Sequence, residues 1–311
     1  MSEYNFSIEA INVNKTFNRK NININALINF NINIPRGSIF GLLGPNGAGK
    51  STFINILGGL VKKNTGNIKI CGIDIDSNAK ESRKKIGIVP QELNIDPFFT
   101  PMELLNLQAG LYGVPKKERK NEEILSNVGL LEQRNAYART LSGGMRRRLL
   151  IAKALVHSPE IIILDEPTAG VDVDLRNSLW RYVKKLNEEG TTICLTTHYL
   201  EEAENLCDYI NIINNGKVIK NDTKKNILNL ISKKKVDFIL DNKNIYKIPS
   251  ELELFHPKIN ENLLSLTYDK NNTQLKSIIE ILNKNKIIFN EIDTHESDLE
   301  DVFLDLINKN Y

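Results

Sequence analysis

The nine residues GPNGAGKST, from Gly44 to Thr52, constrain the fold of this chain more than any other stretch. They follow an apolar strand pattern, SIFGLL at 38–43, and lead into a helical pattern over 49–59. Glycines let backbone N–H groups turn inward around phosphates, while the lysine and hydroxyl can reach phosphate oxygens and Mg²⁺. The stretch therefore predicts a phosphate-binding loop with these candidate contacts: Gly44, Pro45, Asn46, Gly47, Ala48, Gly49, Lys50, Ser51 and Thr52.

Two other interpretations of this stretch are weaker. A glycine-rich turn that carries a lysine by chance is disfavoured, because the strand–loop–helix placement is the context that a phosphate loop requires. A dinucleotide-binding fold is disfavoured because the glycine spacing is not GxGxxG. In that fold, Lys50 would also have no role.

Composition and charge exclude several classes of protein. A net charge of +3 on 311 residues gives no support for bulk binding of nucleic acid or of an anionic membrane. The three cysteines, without any CxxC, predict a reducing compartment, no disulfide framework and no zinc site. We expect no signal peptide in MSEYNFSIEA and no membrane span, since no run approaches the ~18 apolar residues that a span needs.

Short apolar strand patterns alternate with helical patterns along the first 225 residues, which predicts a mixed α/β core. An Asn-Gly pair at 215–216 predicts a tight hairpin. The predicted strands are SIEAINV (7–13), INFNINI (28–34), SIFGLL (38–43), IGIV (86–89), IIILD (161–165), TTICLT (191–196) and YINII (209–213). The predicted helices are 49–59, 101–112, 117–128, 143–157, 173–188 and 199–206.

Two carboxylates follow a buried strand in IIILDEPTAGVD, 161–172. Asp165, at the end of the strand, is placed to hold Mg²⁺ directly or through water. Glu166 is not needed for the metal, so it is the candidate general base that accepts a proton from an attacking water. On its own the stretch could be an ordinary turn, but its position downstream of a phosphate loop favours the catalytic interpretation.

The segments GPNGAGKST, LSGGM, ILDEPTAGVD and TTH, in this order, resemble the ATP-binding cassette (ABC) family of ATPases. The resemblance implies that Gln91 senses Mg²⁺ and the attacking water and couples to a membrane partner. It implies that His198 contacts the γ-phosphate and that Asp172 belongs to a loop at a dimer interface. Phe17 matches the aromatic that stacks on adenine. The plainer alternatives are a solvated loop glutamine, a helix-capping histidine and a core aromatic.

The LSGG segment has a separate role in this family. The resemblance implies that Ser142, Gly143 and Gly144 cap the γ-phosphate of an ATP held by a second subunit. A helix N-terminus with small residues suits close approach to an anion. The next arginines, 146–148, fan around most of the helix circumference, so we interpret them as a mostly solvated or salt-bridged face and none as catalytic. Met145 stands where many cassettes have glutamine and resembles the exporter branch called ABC-2.

Two further segments resemble ABC-2 cassettes, PFFTPMELLNLQAGLYGVPKKE (97–118) and THESDLEDVFLDLI (294–307). We predict an ATP-binding domain over 1–225, with a helical subdomain at about 92–158. Residues 226–311 are predicted to form a small α+β appendage of ferredoxin-like type, regulatory or dimer-stabilising. Its expected elements are a polar helix KKNILNLISKKK, strands VDFILD, LLSLTYD and KIIFNEI, and a helix TQLKSIIEILNKN.

The fold class is therefore α/β, a P-loop NTPase cassette with a mixed β core, a helical subdomain and a C-terminal α+β appendage. The resemblance implies an ATPase subunit using ATP and Mg²⁺, peripheral on the cytoplasmic face of the membrane. It would act as a dimer, a homodimer in the simplest case, on a separate transmembrane permease and without nucleic acid. One alternative is a soluble cassette ATPase of DNA repair or translation, but the chain has one phosphate loop, no heptad tract and no CxxC. A nucleotide-binding regulator without turnover is disfavoured because Glu166 and His198 are both present.

Overall fold

The computed structural model describes residues 4–19, 22–169, 171, 173–230, 233–241, 248–269, 272–296 and 298–308. Contacts divide the chain into two compact units, residues 1–224 and 225–311. The strands of the first unit are β1 (Phe6–Arg19), β2 (Ile22–Pro35), β3 (Ile39–Leu43), β4 (Thr65–Ile70), β5 (Ile73–Asp74), β6 (Ile86–Val89), β7 (Ile161–Asp165), β8 (Thr192–Thr197), β9 (Tyr209–Asn214) and β10 (Lys217–Thr223). The helices up to the boundary are α1 (Lys50–Leu57), α2 (Ala79–Lys84), α3 (Pro101–Leu111), α4 (Asn121–Asn127), α5 (Gly143–Leu155), α6 (Val173–Glu188), α7 (Leu200–Leu206) and α8 (Lys224–Leu228).

A six-stranded sheet in the order β10-β9-β3-β8-β7-β6 positions the site. Its strands from β9 to β6 are parallel neighbours, and β10 joins antiparallel through the Asn-Gly hairpin. Strands β3 and β8 are buried along their whole length, as expected for inner strands of a parallel sheet. Because parallel strands end at the same sheet edge, the segments after β3, β6, β7 and β8 leave from one side. This mixed α/β core is the one that the sequence predicts.

A second sheet, β2-β1-β4-β5, is antiparallel and packs its apolar face on the same core as α1 and β3. Its long hairpin β1–β2 carries bulges at Asn12 and Asn29, both with positive φ. Neighbouring asparagine side chains replace the lost ladder bonds: Asn31 Oδ1 accepts from Asn12 N at 2.9 Å, and Asn14 Oδ1 accepts from Asn29 N at 2.8 Å. The asparagines of this hairpin therefore repair its irregular backbone.

Helices α3, α4 and α5 form a cluster with its own apolar core, including the fully buried Leu105, Leu125 and Leu149. Helix α3 starts with a capping box, in which Thr100 Oγ1 accepts from Glu103 N and Glu103 Oε2 accepts from Thr100 N. A separate short 3₁₀ turn, Lys116–Glu118, precedes α4, so the helix predicted from residue 117 starts later. In the described ranges no helix has the length and apolar content that crossing a membrane requires.

The second unit contains β11 (Lys233–Leu240), β12 (Lys258–Asn260), β13 (Leu263–Asp269), α9 (Leu275–Lys284), β14 (Phe289–Glu296) and α10 (Leu299–Asn308). Its antiparallel sheet has the order β12-β13-β11-β14, and α9 connects β13 to β14 across the central strand. This is the strand order of a ferredoxin-like sheet, and it is the α+β appendage that the sequence predicts.

The polar helix predicted over KKNILNLISKKK is wrong for its last three lysines, while Ile231 and Ser232 lie outside the described residues. Helix α8 ends at Leu228, and Lys233 to Lys235 belong to β11, where Lys234 pairs with Tyr268 on one side and Glu296 on the other. Pairing on both sides of a central strand overrides the weak helical preference of the lysines. Strand β14 likewise begins at Phe289, later than the predicted KIIFNEI segment.

The three cysteines, Cys71, Cys194 and Cys207, are free and buried. Burial raises the pKa of the Cys71 thiol to about 11 and that of Cys194 to about 12. Burial also raises the pKa of Cys207 well above its ordinary value. All three thiols are therefore protonated at neutral pH, which makes them poor nucleophiles.

Replacing Asn211 with leucine should stabilise the protein. Asn211 lies in β9 with no exposed surface, and neither atom of its side-chain amide has a hydrogen-bond partner in the described part of the chain. An unpaired buried amide costs roughly 1–3 kcal/mol, which a leucine of similar shape removes. Urea unfolding without nucleotide should give a higher midpoint for Asn211→Leu. The matched control is Asn221→Leu on its exposed β10 partner, which should change little; equal or lower stability for Asn211→Leu would contradict the expectation.

Candidate functional site

The phosphate-loop segment crosses from β3 to α1 in a conformation that only glycine allows. Gly47 and Gly49 have φ of 82° and 114°. A Cβ on Gly44 would lie 2.3 Å from the carbonyl oxygen of Ile213, and one on Gly49 would lie 2.5 Å from that of Ala26. Strands β9 and β2 thus press on the loop from two sides, so the loop has no room for other residues at these positions.

Lys50 opens α1 and is 6% exposed. Its Nζ donates to the carbonyl oxygens of Gly44 at 2.6 Å and Pro45 at 3.1 Å. Burial lowers the pKa of Lys50, and the negative charges of Glu166 and Asp165 oppose that shift. The loop cation therefore faces the two carboxylates that the sequence singles out. Of the remaining loop residues, Ala48 is buried, Pro45 and Thr52 are half-buried, and Asn46, Gly47 and Ser51 are exposed.

Asp165 and Glu166 are held by Thr196 on the neighbouring strand β8. Thr196 Oγ1 donates to Asp165 Oδ1 at 2.5 Å, and Glu166 N donates to Thr196 O at 3.0 Å and lies 3.1 Å from Oγ1. Burial raises the pKa of Asp165, and the adjacent Glu166 adds to the rise, while Thr196, Lys50 and Arg147 lower it. Glu166 has φ of 48°, so the chain turns sharply out of β7 at this residue.

One carboxylate oxygen of Glu166 meets two of the residues that the sequence pattern assigns to the site. Gln91 Nε2 donates to Glu166 Oε2 at 2.8 Å, and His198 Nδ1 lies 3.2 Å from the same oxygen. Glu166 itself is 8% exposed, whereas His198 is about half exposed and its ring packs on Tyr199. The geometry therefore brings Gln91 and His198 onto a single buried glutamate, next to Asp165.

Ser142 is the N-cap of α5, and its Oγ accepts from Met145 N at 3.2 Å. Ser142 and Gly143 are exposed, Gly144 is half-buried, and a Cβ on Gly143 would meet nothing within 4 Å. Met145 packs against the apolar core of the helical cluster. The structure thus presents the start of α5 to the outside, with room for close approach.

The interpretation of the three arginines as a mostly solvated or salt-bridged face is wrong. Arg147 is only 4% exposed and its Nη1 donates to the carbonyl oxygen of Pro90 at 2.9 Å. Arg148 Nη1 donates to the carbonyl oxygens of Val128 and Gly129, and Arg146 is half-buried. Helix periodicity spreads these side chains around α5, but their surroundings are tertiary and were not visible in the sequence.

Of the two remaining predicted site residues, Phe17 and Asp172, the structure describes only Phe17. Phe17, on β1, is 37% exposed, and Lys15 Nζ lies 4.7 Å from its ring centroid. The aromatic is therefore at the surface rather than in the core, with Lys15 over its ring. Asp172 lies outside the described residues.

Sequence reasoning missed Thr196 and Arg147. The only sequence signal for Thr196 was its place in TTH, two positions before His198, at the end of a strand predicted to be buried. Its role follows from the pairing of β7 with β8, which sets Asp165 opposite Thr196. Arg147 had no signal that separated it from its two arginine neighbours.

The chain is similar to a known family and to proteins of described function. The family model described as "ABC transporter" matches residues 27–169. The chain is 43% identical over 222 residues to the linearmycin resistance ATP-binding protein LnrL of Bacillus subtilis (strain 168), covering 71% of this chain and 70% of that protein. It is 43% identical over 190 residues to the Nod factor export ATP-binding protein I of Cupriavidus pinatubonensis, covering 60% and 58%.

Solved structures of ATP-binding cassettes are also similar to this chain. The dimeric, post-hydrolysis structure of the ATP-binding cassette MJ0796 bound to ADP and Pi is 33% identical, with a TM-score of 0.62. The matched region spans 70% of this chain and 98% of that one. CbiO1 from Clostridium perfringens, part of the ABC transporter complex cbiONQ, is 26% identical with a TM-score of 0.63, over 73% of this chain and 94% of that one. The chain belongs to the ABC transporter family and is an ATPase coupled to transport.

Proposed function

We propose that the chain is the ATP-hydrolysing subunit of an ABC-2 type exporter and works as a dimer with two ATP sites at its interface. The observation that carries the hydrolytic part is the contact of Glu166 Oε2 with both Gln91 and His198. The exporter part is supported by relatives named for Nod factor export and linearmycin resistance. Two sequence features, Met145 and the segment 97–118, favour the ABC-2 branch.

In the proposed reaction, the loop backbone from Gly44 to Thr52 surrounds the phosphates and Lys50 Nζ turns from the loop carbonyls to the β- and γ-phosphates. Glu166 takes the proton of the attacking water, since it is the carboxylate held among Gln91 and His198. His198 contacts the γ-phosphate, and Gln91 orients the water. Phe17, whose side chain is at the surface, stacks on adenine.

The donors present fit Mg²⁺. In the described ranges no three His, Cys, Asp or Glu side chains converge, so these residues build no all-protein cage of that kind. Mg²⁺ does not need one, because it is usually held by only one or two carboxylates together with substrate phosphates and waters. Asp165, Ser51 and Gln91 would supply those oxygens; Gln91 uses its amide nitrogen on Glu166, which leaves the amide oxygen for the metal. Bound there, Mg²⁺ would neutralise charge on the transferred phosphoryl group.

The start of α5 is proposed to cap the ATP of a second copy. Ser142 uses its oxygen lone pair to cap its own helix, which leaves its hydroxyl proton to donate to a γ-phosphate. The exposed, unobstructed Gly143 and the positive end of the helix dipole favour an anion at this position. Asp172 would lie at the same interface.

The wider assembly is proposed from the same relatives. Residues 1–225 would form the ATP-binding domain, with the helical subdomain at about 92–158 and Gln91 at its start. A separate permease would receive the motion near Gln91, with the ATPase on the cytoplasmic face of the membrane and without nucleic acid. Residues 226–311 would regulate or stabilise the dimer. The alternative of an ATPase in DNA repair or translation has no support from the two relatives' names.

Mixing two inactive variants tests the interface. Dimers of Lys50→Ala have two broken phosphate loops, and dimers of Ser142→Arg have two broken caps because the bulky cation blocks close approach. In a mixed dimer one site carries both defects, and the other pairs an intact Lys50 with an intact Ser142. We expect ATP-dependent association to return on mixing, measured by gel filtration, with some hydrolysis if one site fires alone.

The outcome separates the two geometries. If Ser142 served the ATP of its own chain, every site in the mixture would still carry one defect. Absence of ATP-driven association at every mixing ratio would therefore overturn the proposed interface. Association is the primary measurement, because strong coupling between sites would silence hydrolysis even in a correctly rebuilt dimer. Each variant alone is the matched control.

A further inference from the structure

Arg147 is a buried cation for which the reaction described above has no use. It lies on α5, five positions after Ser142, and is 4% exposed. Burial lowers its pKa, while the charges of Asp165 and Glu166 raise it. A buried guanidinium is costly unless it is hydrogen-bonded and faces opposite charge. The negative charges of the two carboxylates therefore offset part of the free-energy cost of burying Arg147.

The hydrogen bond of Arg147 leads to the loop that carries Gln91. Its Nη1 donates to the carbonyl oxygen of Pro90 at 2.9 Å, and Pro90 directly follows β6. The next residue, Gln91, is exposed and donates to Glu166. A proline has no N–H with which to fix itself to a strand, so its carbonyl is one of the few backbone groups by which this turn can be held.

Arg148 provides an internal comparison. It sits on the same helix and also uses Nη1 to hold backbone carbonyls, but its partners are Val128 and Gly129, at the end of α4. Its bonds thus remain within the helical cluster. The two arginines have the same chemistry on the same helix, but only the bond of Arg147 reaches the hydrolytic site.

We propose that Arg147 is a positioning residue, which fixes the Pro90–Gln91 turn so that Gln91 stays in contact with Glu166, and which ties this turn to the helix that begins at Ser142. The proposal rests on the proposed function, because it concerns how that same site is held. A displacement of α5 on meeting a partner's nucleotide would pull directly on Pro90. Helix α5, which caps the ATP held by the partner copy, would in this way move Gln91, which orients the water in the site of its own chain.

The test is a double-mutant cycle on kcat with Arg147→Met, Gln91→Ala and the pair. If Arg147 acts through Gln91, Arg147→Met should lower kcat by about 10-fold alone and by less than about 2-fold in the Gln91→Ala background. Binding of a fluorescent ATP analogue without Mg²⁺ should stay within about 2-fold of wild type, since the hydrogen bond of Arg147 goes to Pro90 and not to the phosphate loop. Arg148→Met, the matched control, should have an effect that is the same in both backgrounds.

Arg147→Lys keeps the charge and a single donor nitrogen, and it serves where Arg147→Met does not fold. We expect it to lie between wild type and Arg147→Met in kcat, with its effect again lost in the Gln91→Ala background. Equal effects of Arg147 variants with and without Gln91 would mean a merely structural role and would overturn the proposal. So would wild-type kcat in Arg147→Met while Lys50→Ala is inactive. Normal hydrolysis in Lys50→Ala would instead refute the proposed function itself.

Discussion

The Glu166→Gln variant should bind ATP but turn it over about 10²–10⁴ times more slowly than wild type, the range expected for loss of a general base. The amide has the shape of the carboxylate but cannot accept the proton of the attacking water. Contacts to Gln91 and His198 at the site would largely keep the loop in place. Phosphate release measures the turnover. Because hydrolysis no longer reopens the closed state, ATP should trap a dimer that gel filtration resolves.

The matched control for this variant is Glu201→Gln. Glu201 carries the same functional group, but its side chain is 72% exposed and lies outside the site. Its turnover and association should be those of wild type. A Glu166→Gln protein that stays monomeric with ATP and hydrolyses it at the normal rate would eliminate the general-base role.

Lys50→Ala should abolish measurable hydrolysis. Loss of a single well-placed donor to a transition-state oxygen costs about 10²–10³ in rate, and Lys50 supplies a full charge to the β- and γ-phosphates as well. It would also leave Asp165 and Glu166 without a cation that now opposes the rise of the Asp165 pKa. Fluorescent ATP analogue binding and phosphate release would be measured together, and both should fall.

An exposed lysine gives the comparison for this second variant. Lys80, in α2, is exposed, and Lys80→Ala should leave both measurements unchanged. If purified, folded Lys50→Ala hydrolyses ATP like wild type, the phosphate-loop assignment has to be abandoned.

The phosphate loop and the carboxylate pair are the parts of the site that sequence predicts best. The chemistry of each part is local. Gly44, Gly49 and Lys50 lie in one short segment, and Asp165 and Glu166 are adjacent at the end of one strand. Contacts across the sheet are different. The sequence does not contain the pairing of β7 with β8 that brings Thr196 to Asp165, because register is set by the packing of the whole sheet.

Arg147 shows the same limit on a helix. Three arginines in succession must point in different directions, and that much follows from helix geometry. Which of them is buried depends on what lies beside each face, here the Pro90 turn for Arg147 and the end of α4 for Arg148. The lysines at the start of β11 illustrate the reverse case, in which exposed-looking residues belong to a central strand because both neighbours pair with it.

The three native thiols provide a built-in probe for local opening of the fold. All three cysteines are buried, and burial raises the pKa of each, so a thiol reagent should react with them far more slowly in the native fold than with an exposed cysteine. The rate at which the reagent labels the cysteines therefore reports how often the β core opens, without any added probe. Nucleotides that bind only the folded state should slow that labelling, and the slowing gives their affinity.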